Sequence, residues 1–357
     1  TPLGACALDA PGVCSITVSN LAFGAHSLTA SYGQDVTFAS SISAISSTTV
    51  IRWPVAVSVT SSVNPAAYGT SIAYTVRVDA TTGVVPTGSV SLSDGTTGIG
   101  SCTLSAASST GSTCVVTTST LTGGLHQIVA TYAGSAAFAP ATAATLTQEI
   151  TANPTTTSLF ASPNPSVYGA NVILTASVSG AGGIPAGTVV IADGGMTIGT
   201  CALSSAGLCA ITRSDLTAGT HGLTATYQGS GNYGSSVGAL SQVVTPAPTT
   251  ATIAVSANPS TDGTLVTFTV TLDASTATPA GSVTVTADGV LVDSCTPTQA
   301  SANRASCTVS TAGLTPGTRL IAASFTGNGN FVDSSATLLQ VVRARTTWRR
   351  VAELSTK

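Results

Sequence analysis

Three stretches of this chain align without gaps: VNPAAYGTSIAYTVRV (63–78), PNPSVYGANVILTASV (163–178) and ANPSTDGTLVTFTVTL (257–272). Each is followed by a Pro-x-Gly run, PTGSVSLSDG, PAGTVVIADG or PAGSVTVTADG, starting at Pro86, Pro185 and Pro279. A cysteine pair comes next, then LTGGLHQIVATYAG, LTAGTHGLTATYQG or LTPGTRLIAASFTG from Leu121, Leu216 and Leu314. An aromatic residue (Phe138, Tyr233, Phe331) and an apolar stretch close each unit, and those aromatics stand 95 and then 98 residues apart. A period of that size makes each repeat a structural unit with its own core. The first fifty residues carry only the second half of the pattern. There Cys6, Cys14, Leu21, His26, Tyr32 and Phe38 keep the spacing of Cys201, Cys209, Leu216, His221, Tyr227 and Tyr233. The expected organisation is a C-terminal half-module at 1–50, complete modules at 51–151, 152–246 and 247–343, and a basic tail at 344–357.

Inside a module the apolar residues alternate. Ile72, Tyr74, Val76 and Val78 share one face, as do Val172, Leu174, Ala176 and Val178, and Val266, Phe268, Val270 and Leu272. Period two is the signature of a half-buried strand. Asp94-Gly95, Asp193-Gly194 and Asp288-Gly289 fall where a two-residue hairpin needs positive φ, and Asp-Gly adopts it at little cost. About seven short strands per module, with turn signals every ten or so residues, predict an all-β chain of antiparallel sandwiches. No helical periodicity precedes the tail.

The order NPS-x-YG, TASV, PAGTV, DGG, L-x-AGTH-x-LTATYQGSGNY, LSQVV resembles the bacterial Ig-like repeats that occur in tandem in large surface and secreted proteins. The likeness runs from residue 1 to about 343. It implies immunoglobulin-like sandwiches with a spacer or adhesin role and no catalysis. Paired cysteines are not a general feature of that family, so they belong to this chain's own stabilisation.

All eight cysteines fall into pairs: Cys6/Cys14, Cys102/Cys114, Cys201/Cys209 and Cys295/Cys307. The second member always precedes the next repeat leucine by seven residues, whereas the gap within a pair is 8, 12, 8 and 12. A difference of four adds two residues to each arm of a hairpin, leaving both cysteines opposite each other and facing inward. Zinc would need a CxxC-like knuckle or a histidine at ligand distance. A redox dithiol would need a close CxxC and a charge to stabilise the thiolate. Neither is present, and the expectation is four structural disulfides within modules. A chain that makes them folds in an oxidising compartment, extracellular or at the cell surface.

His26, His126 and His221 occupy one repeat position, taken by Arg319 in the last module. A catalytic or metal-binding group would not recur once per module and then become arginine, so the expectation is a ring that caps the sandwich rim. The acidic residues form no calcium-loop pattern. The joints TANPTTT and TPAPTTA carry prolines that favour extended, semi-rigid spacers. Asn153, Asn164 and Asn258 mimic glycosylation sequons but are followed by proline, which disqualifies them. Trp53 and Trp348 are the only tryptophans and form no sugar-binding platform. Half of the ten basic residues lie in the tail from Arg343 onward; it reads either as a docking segment or as a solvated end.

Asp, Glu, Lys and Arg make up 6% of the chain, against about 25% in ordinary soluble proteins. A net charge of −3 gives no electrostatic reason to bind nucleic acid. No apolar run approaches the roughly 18 residues of a membrane helix. So few charges do little to hold copies apart. The opening TPLGACALDAPGVC has neither a basic start nor an apolar stretch, and suggests a mature or internal portion of something longer. The reading is a non-enzymatic extracellular structural protein, the stalk or fibre of a surface adhesin, without cofactor, metal or catalytic residues. Two alternatives stand beside it: a self-assembling filament or sheath subunit joined by strand complementation, and an accessory binding module of a secreted enzyme. The expected partners are other copies of the chain, upstream modules of a longer chain, or a cell-surface or host ligand.

Overall fold

The computed structural model describes residues 1–81 and 83–346; Trp348 and most of the basic tail lie outside the described residues. The described residues contain no helix, and residues 51–343 form tandem Ig-like sandwiches. The chain divides into two compact units at Ala152/Asn153.

In the first unit, residues 51–151 form a complete sandwich. One sheet orders Val55–Ser61, Ile72–Ala80, Gly111–Thr118 and the short Ser105–Ala106. The other orders Ala66–Ala67, Leu146–Thr151, Gly124–Tyr132, Ser89–Asp94 and Thr97–Thr103. Strand pairing is antiparallel except between the short Ala66–Ala67 and the closing strand, where Ala66 lies beside Ile150 in parallel; an isolated parallel bridge also joins Trp53 to Phe138. The alternating residues meet between the sheets: Ile72, Tyr74, Val76 and Val78 face Val90, Leu92, Ile128, Ala130 and Tyr132, and all are buried. Burial of such apolar surface, about 25 cal/mol per Å², is what drives the two sheets together.

The second unit holds two sandwiches of the same design. In the first, Thr155–Ser162, Val172–Gly180 and Leu208–Arg213 pack over Ser166–Val167, Ser236–Thr245, Gly219–Tyr227, Thr188–Asp193 and Met196–Ala202. In the next, Thr249–Val255, Val266–Ala274, Arg304–Thr311 and Thr298–Ser301 pack over Ser260–Thr261, Ser334–Arg343, Gly317–Gly327, Gly281–Ala287 and Val290–Cys295.

The Asp-Gly pairs do not all serve as the two turn residues. In the last module Asp288 (φ 49°) and Gly289 (φ 82°) do form the loop between Ala287 and Val290. In the earlier two, Asp94 and Asp193 end their strands, and the loops are Gly95-Thr96 and Gly194-Gly195. The extra residue in PAGSVTVTADG moves the aspartate one place along the hairpin. Its carboxylate nonetheless reaches the same neighbour in all three modules.

Residues 1–50 differ. Gly24–Leu28 pairs with Ser46–Val50, and Ser31–Tyr32 with Ser41–Ile42, but residues 1–23 contain no strand. No second sheet covers these pairs.

Candidate functional site

Disulfides join Cys6 to Cys14, Cys102 to Cys114, Cys201 to Cys209 and Cys295 to Cys307, with Cα separations of 5.7 to 6.0 Å. In the complete modules they do not span a hairpin within one sheet. Cys102 lies on Thr97–Thr103, paired with Ser89–Asp94, while Cys114 lies on Gly111–Thr118 in the opposite sheet. Each bridge therefore ties sheet to sheet where the chain crosses over. The four additional residues of the longer spacing build a small hairpin beyond the cysteines, with Ser105 opposite Thr113 in one module and Thr298 opposite Ser306 in another. The shorter spacing is closed by a turn at Gly207 (φ 72°), where a Cβ would stand 2.6 Å from the Val178 carbonyl oxygen.

The histidines do more than cap the rim. His126 Nδ1 lies 2.6 Å from Asp94 Oδ2, and its Nε2 lies 2.7 Å from the Thr122 carbonyl oxygen. His221 repeats this with Asp193 (2.6 Å) and the Thr217 carbonyl (2.7 Å). Both neighbours are acceptors, and a neutral imidazole has a single N–H, so only the imidazolium satisfies both. The second oxygen of Asp94 accepts the Gln127 amide at 2.9 Å. Burial opposes the charge on each ring. For His126 the Asp94 and Thr122 hydrogen bonds and the Asp94 charge outweigh it, and for His221 those of Thr217 and Asp193 do, so both pKa values are raised.

In the last module Arg319 makes the same bridge with a permanent charge, donating to the Thr315 carbonyl, the Pro316 carbonyl and Asp288. The Leu320 amide and Arg319 together hold the Asp288 carboxyl below its usual range. The clip thus fastens the hairpin aspartate to the preceding loop. Two small open hollows of about 210 and 230 Å³ lie beside the histidine clips. Both are smaller than the roughly 300 Å³ at which pockets begin to bury a ligand. Arg213 and Asp215, paired at 2.9 Å, share the hollow of His221. No group of three or more metal-ligating side chains occurs among the described residues.

A second polar device recurs at the parallel strand pair. Gln148, Gln242 and Gln340 are fully buried. The amide nitrogens of Gln242 and Gln340 donate to Ser166 and Ser260 and to the carbonyls of Pro163 and Ala257. Gln148, with Ala66 in place of that serine, donates to Val63 and to Asn64 Oδ1. Beside them Asn64, Asn164 and Asn258 each pair with the closing strand through both ends of the side-chain amide. Asn164, for example, donates to Ser241 at 2.8 Å and accepts from Val243 at 3.0 Å. The repeated glutamine in TLTQEI, LSQVV and LLQVV was the available signal for this grip, together with the repeated Asn-Pro.

The module joint inside the second unit is not a free proline spacer. Ala247 is buried between Pro246 and Pro248. Its amide donates to the Asn330 carbonyl and its own carbonyl accepts from Val332, both within the module it leads into. Three contacts cross from the module before it. Tyr168 meets Phe331 edge-on at 5.3 Å, Thr276 donates to the Tyr168 carbonyl at 2.5 Å, and the Ala218 amide donates to Asn330 Oδ1 at 2.8 Å. Gly169 packs so closely that a Cβ would stand 2.7 Å from Ala277.

Sandwich, parallel strand pair and repeat together define a tandem Ig-like protein. A model of the bacterial Ig-like domain, group 3, matches residues 59–151 and 159–245, just over half of the sequence. The chain belongs to the bacterial Ig-like domain family. The comparison with curated proteins found no match. Among solved structures it is similar to FdeC, an Escherichia coli adhesin, at 14% identity over 82% of this chain and 99% of that one, TM-score 0.31. Others are the I67–I69 fragment of titin (13% identity, 81% and 99% covered, TM-score 0.29) and fibronectin(III)-like modules of Clostridium thermocellum CbhA (17%, 53% and 94%, TM-score 0.24). Superpositions this loose say nothing about what the chain binds.

Proposed function

We propose that this protein is a non-catalytic extracellular spacer, a stalk of Ig-like modules that holds whatever it carries at a set distance from a cell surface. The observation that carries the reading is the joint at Pro246-Ala247-Pro248. An aromatic contact and two hydrogen bonds cross between modules there, which a flexible tether would not need. Four disulfides fit assembly in an oxidising compartment. The repeated polar clusters are each used up in joining strands, which is the chemistry of a support. Protease treatment of intact producing cells should release peptides of this chain, with the cysteines still paired on non-reducing mapping. Release only after lysis, or recovery of free thiols, would refute the reading.

A further inference from the structure

The loop at 327–331 supplies Asn330 and Phe331 to the module joint. Asn330 accepts the Ala218 amide from the module before it and the Ala247 amide from the linking segment, while Phe331 meets Tyr168. Just ahead of these two residues stands Asn328-Gly329, the one place in the sequence where glycine follows asparagine. Serine fills the position of Asn328 in the two earlier modules, at Ser135 and Ser230.

An asparagine side chain can be attacked by the amide nitrogen of the residue after it. The attack needs an uncrowded nitrogen, one not held in a hydrogen bond, and a donor for the charge that grows on the side-chain oxygen. All three are met here. Asn328 and Gly329 are exposed. The Gly329 amide donates to no group among the described residues, and a Cβ on Gly329 would find nothing within 4 Å. Its φ of 90° is one that glycine holds without steric cost. The Asn330 amide donates to Asn328 Oδ1 at 3.2 Å, the oxygen that turns negative when its carbon is attacked. Other asparagines are placed differently. Proline follows Asn64, Asn153, Asn164 and Asn258 and has no N–H to lose. The Tyr233 amide after Asn232 donates to the Ser230 carbonyl, and the Asn303 side chain is held by the Ser275 carbonyl.

We propose that Asn328-Gly329 is a site of spontaneous backbone rearrangement that ages the joint between modules 152–246 and 247–343. The Gly329 nitrogen gives up its proton and bonds to Asn328 Cγ, and the side-chain nitrogen leaves with that proton as ammonia. Water then opens the cyclic imide. Hydrolysis at Cγ gives aspartate. Hydrolysis at the main-chain carbonyl gives isoaspartate, in which the chain runs through Cγ and is one bond longer. The loop has no room for that bond, because the Gly327 amide is tied to Asp333 at 2.8 Å and a Cβ on Gly327 would collide with the Phe331 carbonyl. The extra length falls on Asn330 and Phe331, and their contacts with Ala218 and Tyr168 are released. The inference rests on the geometry of the joint and does not depend on the spacer reading.

The test ages the full chain in mild alkali, which helps to remove the Gly329 proton. Peptide mapping should find acid at Asn328 before any other asparagine, part of it as isoaspartate. In the isoaspartyl protein the Ala218 amide should exchange roughly fivefold faster, the effect of losing one hydrogen bond. Asn328→Ser should age with neither change. Asn328→Asp carries the new charge without the longer backbone and should keep Ala218 as slow as in fresh protein. Unchanged exchange in Val266–Ala274 and Gly281–Ala287 reports that both variants have folded. Conversion first at another asparagine, or none at Asn328, overturns the proposal. So does a slow Ala218 amide in isoaspartyl protein, or one as fast in Asn328→Asp as in the aged chain.

Discussion

The two histidine clips should make the modules that hold them sensitive to mild alkali, while the module with Arg319 should not respond. Raising the pH removes one proton from His126 and one from His221, and each ring must then release either its aspartate or its loop carbonyl. A hydrogen bond involving a charged group contributes roughly 1.5–3 kcal/mol. Because the carboxylates are partly exposed at the rim, solvent screening reduces this to about 1 kcal/mol per module. That is about fivefold in the opening equilibrium, or about 4–8 °C in the melting of a domain this size. The folded pKa values are raised above the unfolded histidine value of about 6.5. The stabilisation is therefore complete below about pH 6.5 and is lost as pH rises through the folded values. Around His221 the neighbouring charged groups are Asp193, Arg213 and Asp215, and beside His126 stands Asp94. Module-resolved hydrogen exchange, corrected for intrinsic rates, should show faster opening at pH 8.5 than at pH 6 in 51–151 and 152–246, with 247–343 flat. His126→Arg and His221→Arg should remove the difference. Equal pH slopes in all three modules, or slopes that persist in the arginine variants, would show that the rings are not cationic.

Other expectations are simpler. Replacing Cys102 and Cys114 together by alanine should cost about 3 kcal/mol by loop entropy, read as a lower denaturant midpoint for that module; an unchanged midpoint refutes the stabilising role. Tyr74 is buried with an unpaired hydroxyl, its pKa pushed up to about 12 by burial and by Asp94, and Phe268 fills its place in the last module. Tyr74→Phe should accordingly stabilise by about 1 kcal/mol, and a drop in melting temperature would contradict this. Ser61 donates to Gln148 Oε1 at 2.6 Å, whereas Gln242 Oε1 has no partner and Ala161 stands at the serine's place. Ala161→Ser should therefore raise the stability of its module by about 1 kcal/mol; no rise in a thermal melt would count against the geometry. Chelation by EDTA should leave every melting transition where it is, and a fall of several degrees would reveal a metal site.

Much of the architecture is written in period and repeat. Alternation places Ile72, Tyr74, Val76 and Val78 on one face because a strand has only two faces, and the core follows from that. The sandwich and the family could be read in the same way. Sheet partnership could not. Cys102 and Cys114 look like two arms of one hairpin, yet the chain changes sheet between them, and local spacing does not record a crossover. The clip was half visible. Three histidines and one arginine at a single repeat position led only to the expectation of a ring capping the rim, because the aspartate that His126, His221 or Arg319 meets lies about thirty residues away in sequence. The prolines of TPAPTTA suggested a spacer, whereas Ala247 between them is held by bonds to two residues more than eighty positions on, Asn330 and Val332. Pairings over such separations are fixed by how the sheets stack, and no short window of sequence contains them.

The parallel pairing of the short Ala66–Ala67 with the last strand bears on how such a module responds to tension. A pull on its two ends passes through Val55–Ser61 to Ala66–Ala67 and leaves by Leu146–Thr151, and the latter two strands lie side by side and run the same way. Hydrogen bonds between strands so arranged are sheared together, since no end of the ladder can be peeled open first. The Asn64 side chain, bonded to Thr147 and Glu149, and Gln148 behind it lengthen the zone that must give way at once. After it yields, the 12-residue span closed by Cys102–Cys114 still cannot pay out. Each module would then behave as a brittle link with a fixed reserve of slack, and that reserve would be set by where the cysteines stand.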